Sequence, residues 1–351
     1  MHPLKVDQPY PFNQWWVAAY ANELTQTPLG RTFLGERVVM YRTQAGAPVA
    51  LAGFCPHRSF PLEMGTLEND VLVCGYHGFR FAASGQCVGI PSQDKVPASF
   101  CTRKYPLAQR GDFVWIWMGD AALADESKVP DLSGYGIGDP GWHVEQRPLL
   151  ELKARYTLLI ENLMDLSHVT FIHPVSIPGG GAVVRIPVEL TEKHGRLNAI
   201  RKGKALPTNP LHQLFFPGYT GPIDRHFDSE YFGPCLIRTG GEMFNSDTGD
   251  YLGSVHYMHA MTPVDEYNTL YFILVPRDIR QGDQDFDKAS FASYAKIQPE
   301  DKVILERIEE GLQTARNLQP EISARIDTPA LKVRYLIERQ IKAEILEASG
   351  A

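Results

Sequence analysis

The sequence predicts an α+β protein of two domains, on three observations. The first third of the chain is a run of short β-branched or apolar segments broken by Gly and Pro. A stretch rich in Gly, Asp, Ala and Pro, Gly119 to Pro140, follows it. The end of the chain carries apolar residues three and four apart, the spacing of amphipathic helices. These features place a domain of short strands at 1–120 and a larger domain of strands and helices at 121–351.

In chain order, Arg37 to Arg42 (RVVMYR) and Pro48 to Phe54 (PVALAGF) read as strands joined by a turn at Gln44-Ala-Gly46. Val71 to Val73 and Phe79 to Phe81 flank a loop. Asp112 to Met118 (DFVWIWM) reads as a buried strand, with Trp115 and Trp117 as core residues. Beyond the linker, His143 to Tyr156 enters a new sheet, and Leu159, Leu163 and Leu166 give Tyr156 to His168 a helical pattern. Val175 to Gly221, dense in Gly and Pro, reads as long loops, and strands resume at Tyr251 to Met261 and Thr269 to Val275. Val303, Ile304, Ile308 and Leu312, then Val333, Leu336, Ile337 and Ile341, mark two helices expected to pack on a sheet.

Composition narrows the function classes. Of 351 residues 44% are hydrophobic and 21% charged, as in an ordinary folded domain, and the net charge of −7 argues against a nucleic-acid binder. The start of the chain lacks a basic segment followed by an apolar run, and no segment approaches the roughly 18 apolar residues of a membrane span. The expectation is a cytoplasmic protein away from membranes. Beyond Cys55 and Cys74, the cysteines Cys87, Cys101 and Cys235 read as packing thiols in a reducing compartment.

Chemistry concentrates first at Cys55-Pro-His57 and Cys74-Gly-Tyr-His77. Structural zinc sites usually pair like with like in each half, whereas here each half supplies one Cys and one His. That mixture suits a [2Fe–2S] cluster in which one iron takes both thiolates and the other both imidazoles. A zinc knuckle is the alternative. Arg58, Gly75 and Gly78 flank the four donors, and with Pro56 they resemble the C-P-H-R and C-x-Y-H-G boxes of Rieske proteins.

A second concentration is Asn162, Asp165, His168 and His173. At about 100° per residue, His173 falls about 140° around a helix from His168, so both reach one ion only if the helix ends or distorts between them. Pro174 favours such an ending. The box resembles the D-x-x-H-x-x-x-x-H motif of Rieske non-haem iron oxygenases. A 2-His-1-carboxylate iron site needs one acid more. Asp301, at the expected start of a helix in Gln298-Pro-Glu-Asp301, is the candidate, with Glu300 as competitor.

The resemblance extends over nearly the whole chain. Trp16-Val-Ala-Ala-Tyr20, Pro28-Leu-Gly-Arg-Thr32, Gly85-Gln-Cys-Val88, Asn162-Leu-Met-Asp165-Leu and Glu300-Asp-Lys-Val303 are all similar to the branch of that family containing the vanillate and dicamba O-demethylases and toluenesulfonate methyl-monooxygenase. It implies a Rieske [2Fe–2S] domain, then a helix-grip catalytic domain whose antiparallel sheet surrounds a cavity. Cys55, His57, Cys74 and His77 would hold the cluster, and His168, His173 and Asp301 a mononuclear Fe(II), with O₂ as co-substrate. The family's E-D-x-x-x-x-E pattern favours Asp301 over Glu300. The resemblance further implies a homotrimer in which Asp165 bonds both His168 and the His77 position of a neighbouring cluster, with Asn162 orienting the iron surroundings.

No dinucleotide fingerprint stands at a strand-to-helix turn, so electrons would come from NAD(P)H through a separate reductase, with or without a ferredoxin. The implied reaction is O₂-dependent hydroxylation or O-demethylation of a small, carboxylated aromatic compound. Ring dihydroxylation by the same metal sites and a non-catalytic Rieske electron carrier are the alternatives. For substrate contacts, His259 matches a carboxylate-contacting position of the family, and Arg238 supplies a charge if its strand turns it inward rather than to solvent.

Overall fold

A computed structural model describes residues 4–177, 180–315 and 321–349. It resolves into two compact units. One comprises Tyr10–Asp131 and Thr262–Glu266; the other comprises Leu132–Met261, the chain from Tyr267 onward and the segment before Tyr10.

The first unit is all-β, as its alternating short segments predict. Strands β1 (Trp15–Tyr20), β2 (Leu29–Phe33), β3 (Glu36–Arg42), β4 (Pro48–Ala52), β5 (Thr66–Glu68) and β6 (Val71–Val73) precede β7 (Arg80–Phe81), β8 (Cys87–Gly89), β9 (Lys104–Tyr105), β10 (Leu107–Arg110) and β11 (Phe113–Trp117). They form three sheets, ordered β1-β11-β10, β2-β3-β4-β9 and β5-β6-β7-β8. Trp115 and Trp117 are buried, and Gly46 takes the positive φ of 82° that the turn before β4 requires. Cys87 is buried like Cys235 of the second unit, but Cys101 is exposed at an isolated bridge to Gln86, so it does not serve packing.

In the second unit, β12 (His143–Gln146), β13 (Leu150–Leu152), β14 (Val188–Lys193), β15 (Arg196–Leu206), β16 (Ile223–Gly233), β17 (Leu236–Asn245), β18 (Tyr251–Pro263) and β19 (Thr269–Arg277) build one antiparallel sheet. Its order is β12-β19-β18-β17-β16-β15-β14, with β13 also on β19. Helices α1 (Tyr156–Met164), α2 (Val169–Ile172), α3 (Pro210–Phe215), α4 (Gln284–Thr314) and α5 (Thr328–Ser349) accompany it. No helix among the described residues is long and apolar enough to cross a membrane.

Three sequence expectations change here. The segment Val175 to Gly221, read as loops, contains the β14–β15 hairpin, turned at His194 and Gly195 with φ of 52° and 77°. Its inward row on β15 includes the buried Arg201 beside Leu197 and Ala199, and a charged residue in that row hides the period-2 pattern from a hydropathy reading. Asp301 does not stand at the start of a helix. Helix α4 starts at Asp283, whose carboxylate accepts from Asp285 N (3.1 Å) and Phe286 N (2.9 Å), and Pro299 lies inside it, leaving Asp301 mid-helix.

The α4 stripe also faces the other way. Val303, Ile304 and Ile308 are exposed, while Leu305 and Glu309 turn inward. Glu309 is fixed there by a two-pronged bond from the buried Arg155, at 2.7 and 2.6 Å. The α5 stripe, Val333, Leu336, Ile337 and Ile341, is buried as expected.

Candidate metal centres

The first candidate centre is built on two loops that repeat one hydrogen-bond pattern. Cys55 N donates to Phe60 O (2.9 Å) and Ser59 N to Cys55 O (2.8 Å). Likewise Cys74 N donates to Phe79 O (2.8 Å) and Gly78 N to Cys74 O (3.0 Å). Both loops need a left-handed residue four positions after the Cys, Ser59 at φ 49° and Gly78 at φ 71°. A Cβ on Gly78 would also meet Pro91 at 2.9 Å, so both the turn and the neighbouring proline call for glycine there.

Each loop buries its Cys and turns its His outward. Cys55 and Cys74 are each 2% exposed, whereas His57 is half-buried and His77 exposed. The imidazoles lie edge to face with centroids 4.8 Å apart, and His57 stacks on Phe79 at 4.6 Å. Burial pushes the Cys55 thiol up to about 11, with the neighbouring Cys74 adding to the rise, so thiolates here require a cation beside them. A tetrahedral zinc site, with metal bonds of about 2.0–2.3 Å, would crowd all four donor atoms within about 4 Å of one another. No three of these four residues bring their donor atoms within 4.8 Å of one another. Two thiols inside and two imidazoles outside instead match the paired donors of a [2Fe–2S] cluster.

The second centre sits where α1 stops. Asp165 leaves the helix at φ −112°, ψ 91°, a short 3₁₀ turn carries Leu166–His168, and α2 ends at His173 with φ −114°, ψ 40°. This break brings both imidazoles toward Asp301. His173 Nε2 is 3.1 Å and His168 Nε2 3.7 Å from Asp301 Oδ1, and one donor atom from each of the three lies within 4.8 Å of the others.

The opposite ring nitrogens are also held. His168 Nδ1 donates to the Asp165 carbonyl (2.6 Å), and His173 Nδ1 faces Glu300 Oε2 (2.6 Å), which also accepts from Ser176 Oγ (2.5 Å). A carbonyl and a carboxylate can only accept, so each Nδ1 carries a proton. His168 Nε2 then presents its lone pair to the shared point, whereas His173 Nε2, 3.1 Å from Asp301 Oδ1, faces an acceptor as well and binds a metal only once deprotonated. Burial lowers the His168 pKa, whereas at His173 the carboxylates of Asp301 and Glu300 outweigh burial and raise it. Asn162 Nδ2 reaches Asp301 Oδ1 at 3.4 Å.

Glu300 is therefore not a competing ligand in this geometry; adjacent acids on one helix bracket a single imidazole from its two sides. Replacing Glu300 by Ala is expected to weaken iron affinity about 10–100-fold, the usual size of an outer-partner effect. Competition against a chelator measures it, and unchanged affinity would remove Glu300 from the site.

Asp165 meets His168 through its main-chain carbonyl rather than its carboxylate. The carboxylate accepts from Ser167 N (3.0 Å), Ser167 Oγ (2.8 Å) and the buried Arg201 (3.3 Å). Arg201 escaped the sequence reading for the reason that hid its strand.

The three donors border a cavity of about 140 Å³, together with Thr239, Tyr257, His259 and Tyr271. His259 lies on the cavity wall, with both ring nitrogens engaged, Nε2 with Thr239 Oγ1 (2.8 Å) and Nδ1 with Tyr271 OH (2.5 Å). Burial pushes it down to about 3, so at neutral pH it is an uncharged relay between two hydroxyls.

Arg238 is neither exposed nor in the cavity, which corrects both readings of it. Alternation along β17 sends Thr239 to the cavity face and Arg238 to the other. There, 3% exposed, Arg238 bonds Asp228 (3.0 Å), Glu230 (3.3 Å) and His256 (3.2 Å). The cavity's own arginines, Arg147 and Arg225, went unnoticed in the sequence. One further grouping among the described residues, His143, Glu145 and Asp287, has its acids occupied by Arg147 and Arg277, so a cation there would meet two guanidinium groups.

The chain is similar to known proteins over most of its length. The family described as the vanillate O-demethylase oxygenase C-terminal domain matches residues 152–343, and the Rieske [2Fe-2S] domain matches residues 14–106. A putative toluene-4-sulfonate monooxygenase iron-sulfur subunit from Comamonas testosteroni is 31% identical, over 95% of this chain and 97% of its own. The oxygenase component of dicamba O-demethylase from Stenotrophomonas maltophilia is 32% identical, over 96% and 98%. A crystal structure of dicamba monooxygenase bound to dicamba superposes with a TM-score of 0.86 at 30% identity, covering 95% of this chain and 98% of that one.

Proposed function

Because this chain belongs to the Rieske non-haem iron oxygenases, as an oxygenase component of the vanillate O-demethylase type, we propose that it removes a methyl group from, or hydroxylates a methyl group on, a small carboxylated aromatic compound. The observation that carries this reading is the convergence of His168 Nε2, His173 Nε2 and an Asp301 oxygen at the wall of a cavity. Cys55, His57, Cys74 and His77 would hold the cluster, and His168, His173 and Asp301 the iron. Held by these residues, the iron would supply O₂ activation and the cluster would supply its electrons.

The chain's own residues prepare that site. Asp165 and Glu300 hold the Nδ1 protons of the two imidazoles and so turn both Nε2 atoms toward the shared point. Asn162 steadies the Asp301 carboxylate from the side. Tyr271, His259 and Thr239 form a hydroxyl–imidazole–hydroxyl chain on the cavity wall that can orient a polar substituent of the substrate without placing a charge there. In the overall balance, one atom of O₂ enters the methyl group and the other becomes water. NAD(P)H gives two electrons through a separate reductase, with or without a ferredoxin, and an oxidised methoxy carbon departs as formaldehyde, leaving a phenol.

The working assembly is a cytoplasmic homotrimer in which Asp165 approaches the His77 of a neighbouring chain. Two features support it: the outward imidazole of His77, and the apolar stripe of Val303, Ile304 and Ile308 left exposed on α4, which an assembly would cover. A monomer by light scattering would remove the assembly.

The reaction is tested with purified oxygenase, a surrogate reductase and a set of methoxylated aromatic acids. Formaldehyde and phenol in equal amounts, matched by O₂ consumption, are expected. A cis-diol would replace this reading by ring dihydroxylation, and no oxidation with both metal sites filled would leave an electron carrier.

A further inference from the structure

The cavity beside the iron-site residues continues into a second one of about 500 Å³, and Leu166, Val169, Ile177, Arg225, Thr239 and Tyr257 line both. Arg225 is the one charged residue among them, and it differs from the other arginines inside this unit. Arg147, Arg155, Arg201, Arg238 and Arg277 are buried and each has a carboxylate within 4 Å. Arg225 is half-buried over the Phe227 ring, at 4.8 Å, with its Nε enclosed and unbonded, and no carboxylate pairs with it among the described residues. A half-buried guanidinium with its Nε enclosed and no counter-charge is partly desolvated at a cost, and an anion of the right shape offsets that cost.

A second group points the same way. His212 on α3, whose first turn is capped by Asn209 Oδ1 at 3.0 Å from His212 N, lines the larger cavity with Arg225. It is 2% exposed, and neither ring nitrogen has a partner. Burial and the facing Arg225 hold it down to about 4, so at neutral pH it is uncharged and has one N–H to give.

We propose that Arg225, assisted by His212, forms the anion subsite that fixes the acid group of an aromatic substrate, while apolar residues such as Leu166, Val169 and Ile177 hold its ring. A guanidinium offers a carboxylate or sulfonate two parallel N–H donors, which orients as well as attracts. This assigns the acid group to Arg225 rather than to His259 or Arg238: the first is uncharged with both nitrogens engaged, and the second is committed on the opposite face. The assignment rests on reading the neighbouring residues as the site that oxidises an aromatic substrate.

Anaerobic calorimetry on the holoprotein tests it without turnover, using 4-methoxybenzoate, 4-methoxybenzenesulfonate and the neutral 4-methoxybenzamide. Arg225→Gln is expected to weaken one or both anions about 10–100-fold, as for loss of a charge-assisted hydrogen bond. The amide should change less than about threefold by the same scale. Arg225→Lys should restore part of the loss, and His212→Phe should give a smaller loss confined to the anions. Unchanged cluster absorbance and iron content certify each variant as folded. Equal losses for acid and amide, no loss at all, or no measurable binding of either anion by the wild type would overturn the subsite. Failure to release formaldehyde while anion binding stays dependent on Arg225 would instead overturn the assigned reaction and leave the subsite standing.

Discussion

Asp301→Ala protein is expected to purify with its visible iron–sulfur spectrum intact, one iron atom per chain poorer, and without O₂-dependent turnover. Asp301 is the point at which both imidazoles meet, with His173 Nε2 3.1 Å and His168 Nε2 3.7 Å from the same oxygen. Removing it leaves two neutral nitrogens and no anionic ligand for a divalent cation. Loss of an outer partner alone costs about 10–100-fold, so loss of the ligand itself should cost at least about 10³-fold in turnover. Metal analysis beside the cluster's absorbance separates this from unfolding, because the cluster donors belong to the other compact unit. A variant that keeps its full iron content and its rate would remove Asp301 from the metal site.

Cys74→Ala should produce the complementary protein: colourless, free of acid-labile sulfide, and still able to load one iron per chain at the second centre. The two thiols are buried beside each other, and burial pushes Cys55 up to about 11, so removal of Cys74 leaves one thiol without the cation that would ionise it. Electron delivery from a reductase should stop altogether. The first unit should also melt earlier, since a cluster bound only by the folded loops stabilises the fold that forms them. Retention of the cluster's EPR signal in this variant would break the assignment of Cys74. Together the two variants separate the centres: each should lose one kind of iron and keep the other.

How much of this was legible in the sequence varies with the kind of residue. The cluster boxes were readable because they are local: each loop spans few residues, and its Cys and His belong to one turn. The break between His168 and His173 was readable for a similar reason, since helical geometry forbids both from meeting one ion on an unbroken helix. Asp301 required a resemblance, because a lone acid on a helix carries no signal of its own. It was expected at the start of a helix, but α4 begins 17 residues earlier, at Gln284, and leaves it mid-helix. On the same helix, the exposed apolar stripe and the buried Glu309 reversed the simple rule of apolar inside and charged outside, because Arg155 pairs with Glu309 in the interior.

What the sequence by itself determined, then, was the α+β class and the two short Cys–His boxes, because strand and helix periodicity and short loops are written in neighbouring residues. The tertiary structure alone decided which face each strand turns to the cavity. Strand register joins residues far apart in the chain, pairing Thr239 with Tyr257 and Ser229, and placing Arg201 opposite Phe227. A step of one residue along β17 separates Thr239, beside the iron-site cavity, from Arg238, locked between Asp228 and Glu230 on the other face. Composition cannot register such a step, since side-chain direction in a sheet follows from pairing and not from residue type.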